Sequence, residues 1–189
     1  MRAVVVYESM FGNTERVARA IGQGLEPFAD VQVVEVGEAP AVLDGVDLLV
    51  VGGPTHAFGM SRASTREDAE RQAGRAVLSR RLGVREWLPT LPSSTEVAAA
   101  AFDTRVAKVR RLPGSAARGA AKLLLRHRYA VIVPPESFYV DDVTGPLLQG
   151  ELDRARAWGS TLVASLVADR GGAPSAWMSA WATRRPEWP

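Results

Sequence analysis

The chain contains no cysteine, which excludes disulfides, thiolate chemistry and cysteine-based metal sites. It has only two histidines, His56 and His127, and no carboxylates spaced around them as metal ligands would be. No apolar run approaches the ~18 residues of a membrane span. The N-terminus starts at once with strand-like residues and offers no signal peptide, so a cytoplasmic location is expected. Lysine is scarce: apart from Lys108 and Lys122 the cations are arginines. Codon bias in a G+C-rich genome is one cause of that, and an anion-binding face is another. The net charge of +2 is small for a pI of 9.4, and no nucleic-acid partner is expected from it. There is no Gly-x-Ser-x-Gly nucleophile elbow. A receiver-type phosphorylation site is also excluded, since the third strand ends in Gly52-Gly53 rather than in an aspartate.

What is present begins at Val4. A short apolar run, Val4 to Tyr7, leads through Glu8-Ser9-Met10-Phe11-Gly12-Asn13-Thr14 into the helical pattern of Arg16 to Ile21. Strand, small polar loop and helix N-terminus in that order form an anion cradle. Free N–H groups and the positive end of the helix dipole converge there. Ser9, Asn13 and Thr14 add donors, and Gly12 permits close backbone approach. No cation lies between Ala3 and Arg16. The loop is not a Gly-x-x-x-x-Gly-Lys-Ser/Thr nucleotide loop, so a phosphomonoester suits it better than a nucleoside triphosphate. A strand-to-helix turn with no ligand is the simpler alternative.

Ser9-Met10-Phe11-Gly12-Asn13-Thr14 resembles the phosphate loop of the flavodoxin family, which holds the 5′-phosphate of FMN. Phe11 stands where that family usually has a hydroxyl residue. The Ser-Met-aromatic-Gly variant is similar to the flavodoxin domains of flavo-diiron proteins. The resemblance spans about Arg2 to Ala168.

Strand and helix patterns alternate along the chain, which implies an α/β fold with a parallel sheet. Strands are expected at about Arg2–Tyr7, Val31–Val36, Asp47–Val51, Glu96–Phe102 and Tyr129–Val133. Helices are expected at about Asn13–Leu25, near Pro40–Leu43, and from Gly145 or Leu148 to Ala168. Gly114-Ser115-Ala116 reads as a further helix start. The resemblance implies a doubly wound five-stranded sheet in the flavodoxin-like order 2-1-3-4-5, whose ligands lie at the carboxyl ends of the strands. One domain, 1–170, is expected, with an insertion at 61–81 and a tryptophan-rich tail at 171–189.

Two more loops join the cradle at that end. Gly52-Gly53-Pro54-Thr55-His56-Ala57-Phe58-Gly59-Met60 resembles the family loop that flanks the flavin ring, and His56 or Phe58 could lie against it. The loop expected after strand 4, Asp103-Thr104-Arg105 through Ala116, departs from the family. It has no aromatic residue and carries Arg105, Lys108, Arg110 and Arg111. A cation beside the ring would make the flavin easier to reduce. Arg105 could equally pair with Asp103 or Glu136, or be solvated. The candidate cofactor residues are therefore Ser9, Met10, Phe11, Gly12, Asn13, Thr14, Pro54, Thr55, His56, Ala57, Phe58, Gly59, Asp103, Thr104 and Arg105.

The insertion carries Arg62, Arg66, Arg71, Arg75, Arg80 and Arg81, with Arg85 just beyond. Thr65 reads as a hydroxyl cap with an acid three residues on, and the arginines suit an anionic nicotinamide donor. The tail carries Trp177, Trp181 and Trp188, read as a packed segment or a gate. The implied function is redox, with non-covalent FMN. It would be electron transfer to a partner, or nicotinamide-dependent reduction of a small acceptor such as a quinone. A flavodoxin-fold scaffold that lacks FMN and serves as a binding or regulatory module is the rival reading.

Overall fold

The computed structural model describes residues 1–56, 59–73 and 77–170. Its elements are β1 (Arg2–Tyr7), α1 (Asn13–Leu25), β2 (Asp30–Glu35), β3 (Leu48–His56), β4 (Gly59–Met60), α2 (Ala63–Ala73), α3 (Val84–Trp87), β5 (Ala98–Val106), α4 (Ala116–Arg126), β6 (Ala130–Val131), β7 (Glu136–Val140) and α5 (Glu151–Arg170). The sheet runs β2-β1-β3-β5-β6, with β7 also on β5. Every pair is parallel except the β3–β4 hairpin. This is the expected 2-1-3-4-5 order, with the fifth strand in two pieces and a hairpin added.

A parallel sheet is buried on both faces, and its strands read as continuous apolar runs. On one face Val4, Val6, Leu49, Val51, Ala99 and Ala101 pack under α3 and α4. The opposite face sets Val5, Val50, Ala100 and Phe102 against α1 and α5. The alanines of β5 leave room for α4, which presents its own alanines, Ala117, Ala120 and Ala121. Helices α1 and α5 meet backbone to backbone. A Cβ on Gly24 would lie 2.1 Å from the Arg156 carbonyl oxygen, and one on Gly159 would lie 2.3 Å from that of Ile21. Among the described residues no helix is long and apolar enough to cross a membrane.

Several expectations need correction. No helix forms near Pro40–Leu43. The chain instead makes a 3-10 turn at Val36–Glu38, because the Glu35 carboxylate accepts the Gly37 N–H at 2.7 Å and caps a turn directly at the strand end. Strand 5 is interrupted after Val131 and resumes at Glu136. Pro134 and Pro135 lie in the gap and have no N–H for the ladder. The resumed strand pairs with Phe102 to Val106, so β5 runs on to Val106, and β3 runs on to His56 because it pairs there with β4. Helix α2 starts at Ala63. Thr65 is therefore not the residue before the helix. It lies inside the first turn, and its hydroxyl reaches back to accept the Arg62 N–H at 2.8 Å. The last helix starts only at Glu151, after Gly150 at φ 83°. The tail 171–189 lies outside the described residues.

Candidate functional site

The cradle sits at the carboxyl end of β1, where the strand order reverses between β1 and β3. That position is the switch point of an open α/β sheet. Gly12 precedes the first turn of α1 at φ 91°, a conformation that glycine adopts without strain. A Cβ there would meet nothing within 4 Å, so conformation rather than space calls for the glycine. The first N–H groups of a helix have no partner within it. Gly12 supplies no side-chain cap to α1, and no acceptor among the described residues takes the N–H of Asn13 or Thr14. The fully buried Ser9 side chain shapes the loop from inside. Its Oγ accepts the Gly12 N–H at 3.1 Å and the Glu15 N–H at 3.4 Å, and its own proton remains to be donated.

The other cradle side chains are divided between tasks. Thr14 is buried, and its hydroxyl lies 2.7 Å from that of Thr104. Asn13 was expected as an anion donor, but its Nδ2 donates to the Gly145 carbonyl at 2.6 Å. That bond ties the β7–α5 connection to the helix start. Met10 is buried against Ala69 and Val77, and Phe11 packs on the same cluster. The insertion therefore lies over the Ser9–Thr14 loop. Its returning limb is pinned there: Leu78 and Ser79 donate N–H groups to the carbonyls of Met10 and Ser9 at 3.2 and 2.8 Å. The Ser79 hydroxyl accepts the Ser9 N–H at 2.9 Å.

The expected third loop is not a loop at Asp103, Thr104 and Arg105. All three lie in β5, in register with Ser137, Phe138 and Tyr139 of β7. Asp103 is fully buried. Its Oδ2 accepts from the Thr55 hydroxyl at 2.8 Å, the Ser115 hydroxyl and the Ala117 N–H at 3.1 Å. Thr55 also accepts the Ala116 N–H at 2.9 Å, and Ser115 accepts that of Arg118 at 3.2 Å. The N–H groups at the start of α4 are thus taken by protein oxygens. Asp103 Oδ1 is buried without a partner among the described residues. Arg105 is 7% exposed and, among the described residues, makes no ion pair. It donates to the carbonyls of Val109 and Leu112 at 3.0 and 3.2 Å, and so braces the turn that follows β5. Glu136, a candidate partner for Arg105, pairs with Arg154.

Pro54, Thr55 and His56 end β3, and Gly59 begins β4, with His56 opposite Gly59. Ala57 and Phe58 lie outside the described residues. Burial, and secondarily the charge of Arg66, push the His56 imidazole below its ordinary value, so it is neutral at pH 7. Among the described residues the insertion arginines have separate partners. Arg66 is buried and donates to the Ser61 hydroxyl and to Glu86. Arg85 donates to the carbonyls of Ser61 and Met60. Arg71 pairs with Asp68 and Arg80 with Glu70. Arg75 lies outside the described residues, whereas Arg62 and Arg81 are exposed.

Sequence reasoning missed Glu8, which immediately precedes the cradle. It is 1% exposed. Its carboxylate accepts the Ser61 hydroxyl and the Val84 N–H, the latter at 2.9 Å. Burial raises its proton affinity, against the opposing effects of Ser61, Val84 and Arg66. The signal was available: a carboxylate at the end of a strand buried on both faces needs partners from elsewhere.

The flavodoxin family model matches residues 5–80. The fold is flavodoxin-like. A flavodoxin from the domain Archaea superposes with a TM-score of 0.59 at 21% identity, over 88% of this chain and 99% of the other. Oxidised flavodoxin 1 from Bacillus cereus gives 0.58 at 17% identity, over 89% and 98%. Rubredoxin oxygen:oxidoreductase from Desulfovibrio gigas gives 0.61 at 14% identity. There 88% of this chain is covered, but it spans only 36% of the larger protein. No curated protein matches.

Proposed function

We propose that this chain binds FMN non-covalently and works as an electron-transfer protein, with 1–170 as its flavodoxin-like domain and 171–189 as an appended tail. The observation that carries the reading is the cradle: a glycine at positive φ, uncapped N–H groups of a 13-residue helix, and Ser9 with a proton to donate, all at the switch point. These residues fit the phosphate end of FMN. The flavodoxin family match over residues 5–80, which includes the cradle, supports the same cofactor. Ser9 and the N–H groups of Asn13 and Thr14 would hold the phosphate, and the end of β3 would lie beside the ring. Bound flavin supplies one- and two-electron chemistry. The protein's part is to bind it, orient it and set its surroundings.

Electron transfer is favoured over nicotinamide-dependent reduction by the fate of Arg66. That side chain is buried and committed to Ser61 and Glu86, so it does not read an anionic donor. The test is direct. Purified protein should be yellow with flavin absorbance, and acid release should yield FMN. Colourless protein that takes up no FMN would favour the scaffold reading. Rapid reduction by NADH or NADPH alone would favour a reductase.

A further inference from the structure

The small net charge conceals an uneven distribution. Between Thr104 and Pro135 there is no acidic residue, while the stretch holds eight cations, including both lysines of the chain. It therefore carries +8, and the rest of the chain is net −6. Of these cations only Arg105 is buried. Lys108, Arg110 and Arg111 are exposed on the turn after β5. Arg118, Lys122 and Arg126 are exposed along α4. Spacings of four residues set those three on one face of the helix, roughly 6 Å apart at each step. Among the described residues none of the seven, Arg128 included, makes an ion pair.

This surface is held firmly and is not purely polar. Arg105 fastens the turn from beneath through the carbonyls of Val109 and Leu112. The side chains of those same two residues lie among the cations, 37% and 46% exposed. Apolar side chains ringed by charge are what a protein interface uses as a desolvated centre. Nucleic acid fits less well. The N–H groups at the start of α4 are already bound by Thr55, Asp103 and Ser115. The only aromatic ring in the stretch, Tyr129, is buried, which leaves no stacking platform for single strands. The turn also begins three residues beyond Thr104, whose hydroxyl meets Thr14 beneath the cradle.

We propose that the turn after β5 and the outer face of α4 together dock a protein partner with a carboxylate-rich surface, beside the group held in the cradle. The proposal extends the electron-transfer reading by naming the chemical class of the partner. Docking itself is read without flavin chemistry. The probes are an acidic [2Fe–2S] ferredoxin, basic cytochrome c and a DNA duplex, each titrated calorimetrically into the full chain at low salt.

Ferredoxin should bind, and cytochrome c should not bind through this face. The triple variant Arg118→Glu/Lys122→Glu/Arg126→Glu should weaken ferredoxin binding by tenfold or more and keep its thermal unfolding midpoint. Lys108→Glu/Arg110→Glu should do the same. Raising salt from roughly 0.02 to 0.2 M should weaken binding by screening. No binding of ferredoxin, or binding indifferent to both variants, would overturn the proposal. So would DNA bound as tightly as ferredoxin, or self-association abolished by the same variants, which would make a second copy the occupant. Each of these failures leaves FMN binding in the cradle as it was, so the two readings fail separately.

Discussion

The hydroxyls of Thr14 and Thr104 lie 2.7 Å apart, both buried, and join the first turn of α1 to β5 across 90 positions of sequence. The pair fixes the floor of the cradle to the strand that carries the basic turn. Replacing either threonine with valine strands the other hydroxyl, which costs about 1–3 kcal/mol. Replacing both leaves two apolar groups in contact. The double variant should therefore lose less stability than the sum of the singles. A double-mutant cycle by urea unfolding measures this, and strict additivity would show that the two hydroxyls do not interact.

Glu8 gives stability a pH dependence. Its folded-state proton affinity is raised above the ordinary value, so the native state binds the proton more tightly than the unfolded chain does. Stability should fall as pH rises from about 4.3, the unfolded value, to the raised folded value, and the loss stays in place above that. Glu8→Gln keeps one acceptor oxygen, as an amide carbonyl, and removes the titration. Chemical denaturation across pH 4 to 8, about the range of interest, should show a flatter profile for this variant.

The wild-type fold was largely legible in the sequence, and particular residues show why. Helix α1 was expected at the bounds it has, because an apolar stripe starts after Gly12-Asn13-Thr14 and stops before Pro27. The continuous apolar run of β3 is what a central strand buried on both faces requires. The shape of the Ser9–Thr14 loop was legible where local chemistry decides, in the turn made by Ser9 and Gly12. The site was not legible where long-range pairing decides. Thr104 and Arg105 are strand residues because β5 pairs on one side with β3 as far as Pro54 and on the other with β7, which resumes after two prolines. The bond from Asn13 to Gly145 spans 132 positions, and no local pattern encodes it. Arg66 reads in the sequence as one of a run of arginines suited to an anionic donor. Its burial depends on Ser61 and on Glu86, a residue of the next helix.

His56 shifts in the opposite sense to Glu8. Its folded-state value is lowered by burial and by Arg66, so the unfolded chain binds the proton more tightly. Stability should rise with pH from the lowered value up to about 6.5 and be level beyond it. NMR titration of the imidazole should give a midpoint below about 6.5. A midpoint above about 6.5 would mean that the ring is solvated or paired with an acid.

The central claim is that the cradle Ser9–Thr14 holds a phosphomonoester through neutral donors. Titrating flavin-free protein with FMN and with riboflavin, by quenching of flavin fluorescence, tests it most directly. The two ligands differ only in the phosphate. Hydrogen bonds to a charged group contribute about 1.5–3 kcal/mol each, so two of them should make FMN bind on the order of a hundredfold or more tighter than riboflavin. Equal affinities for the two ligands would contradict the account.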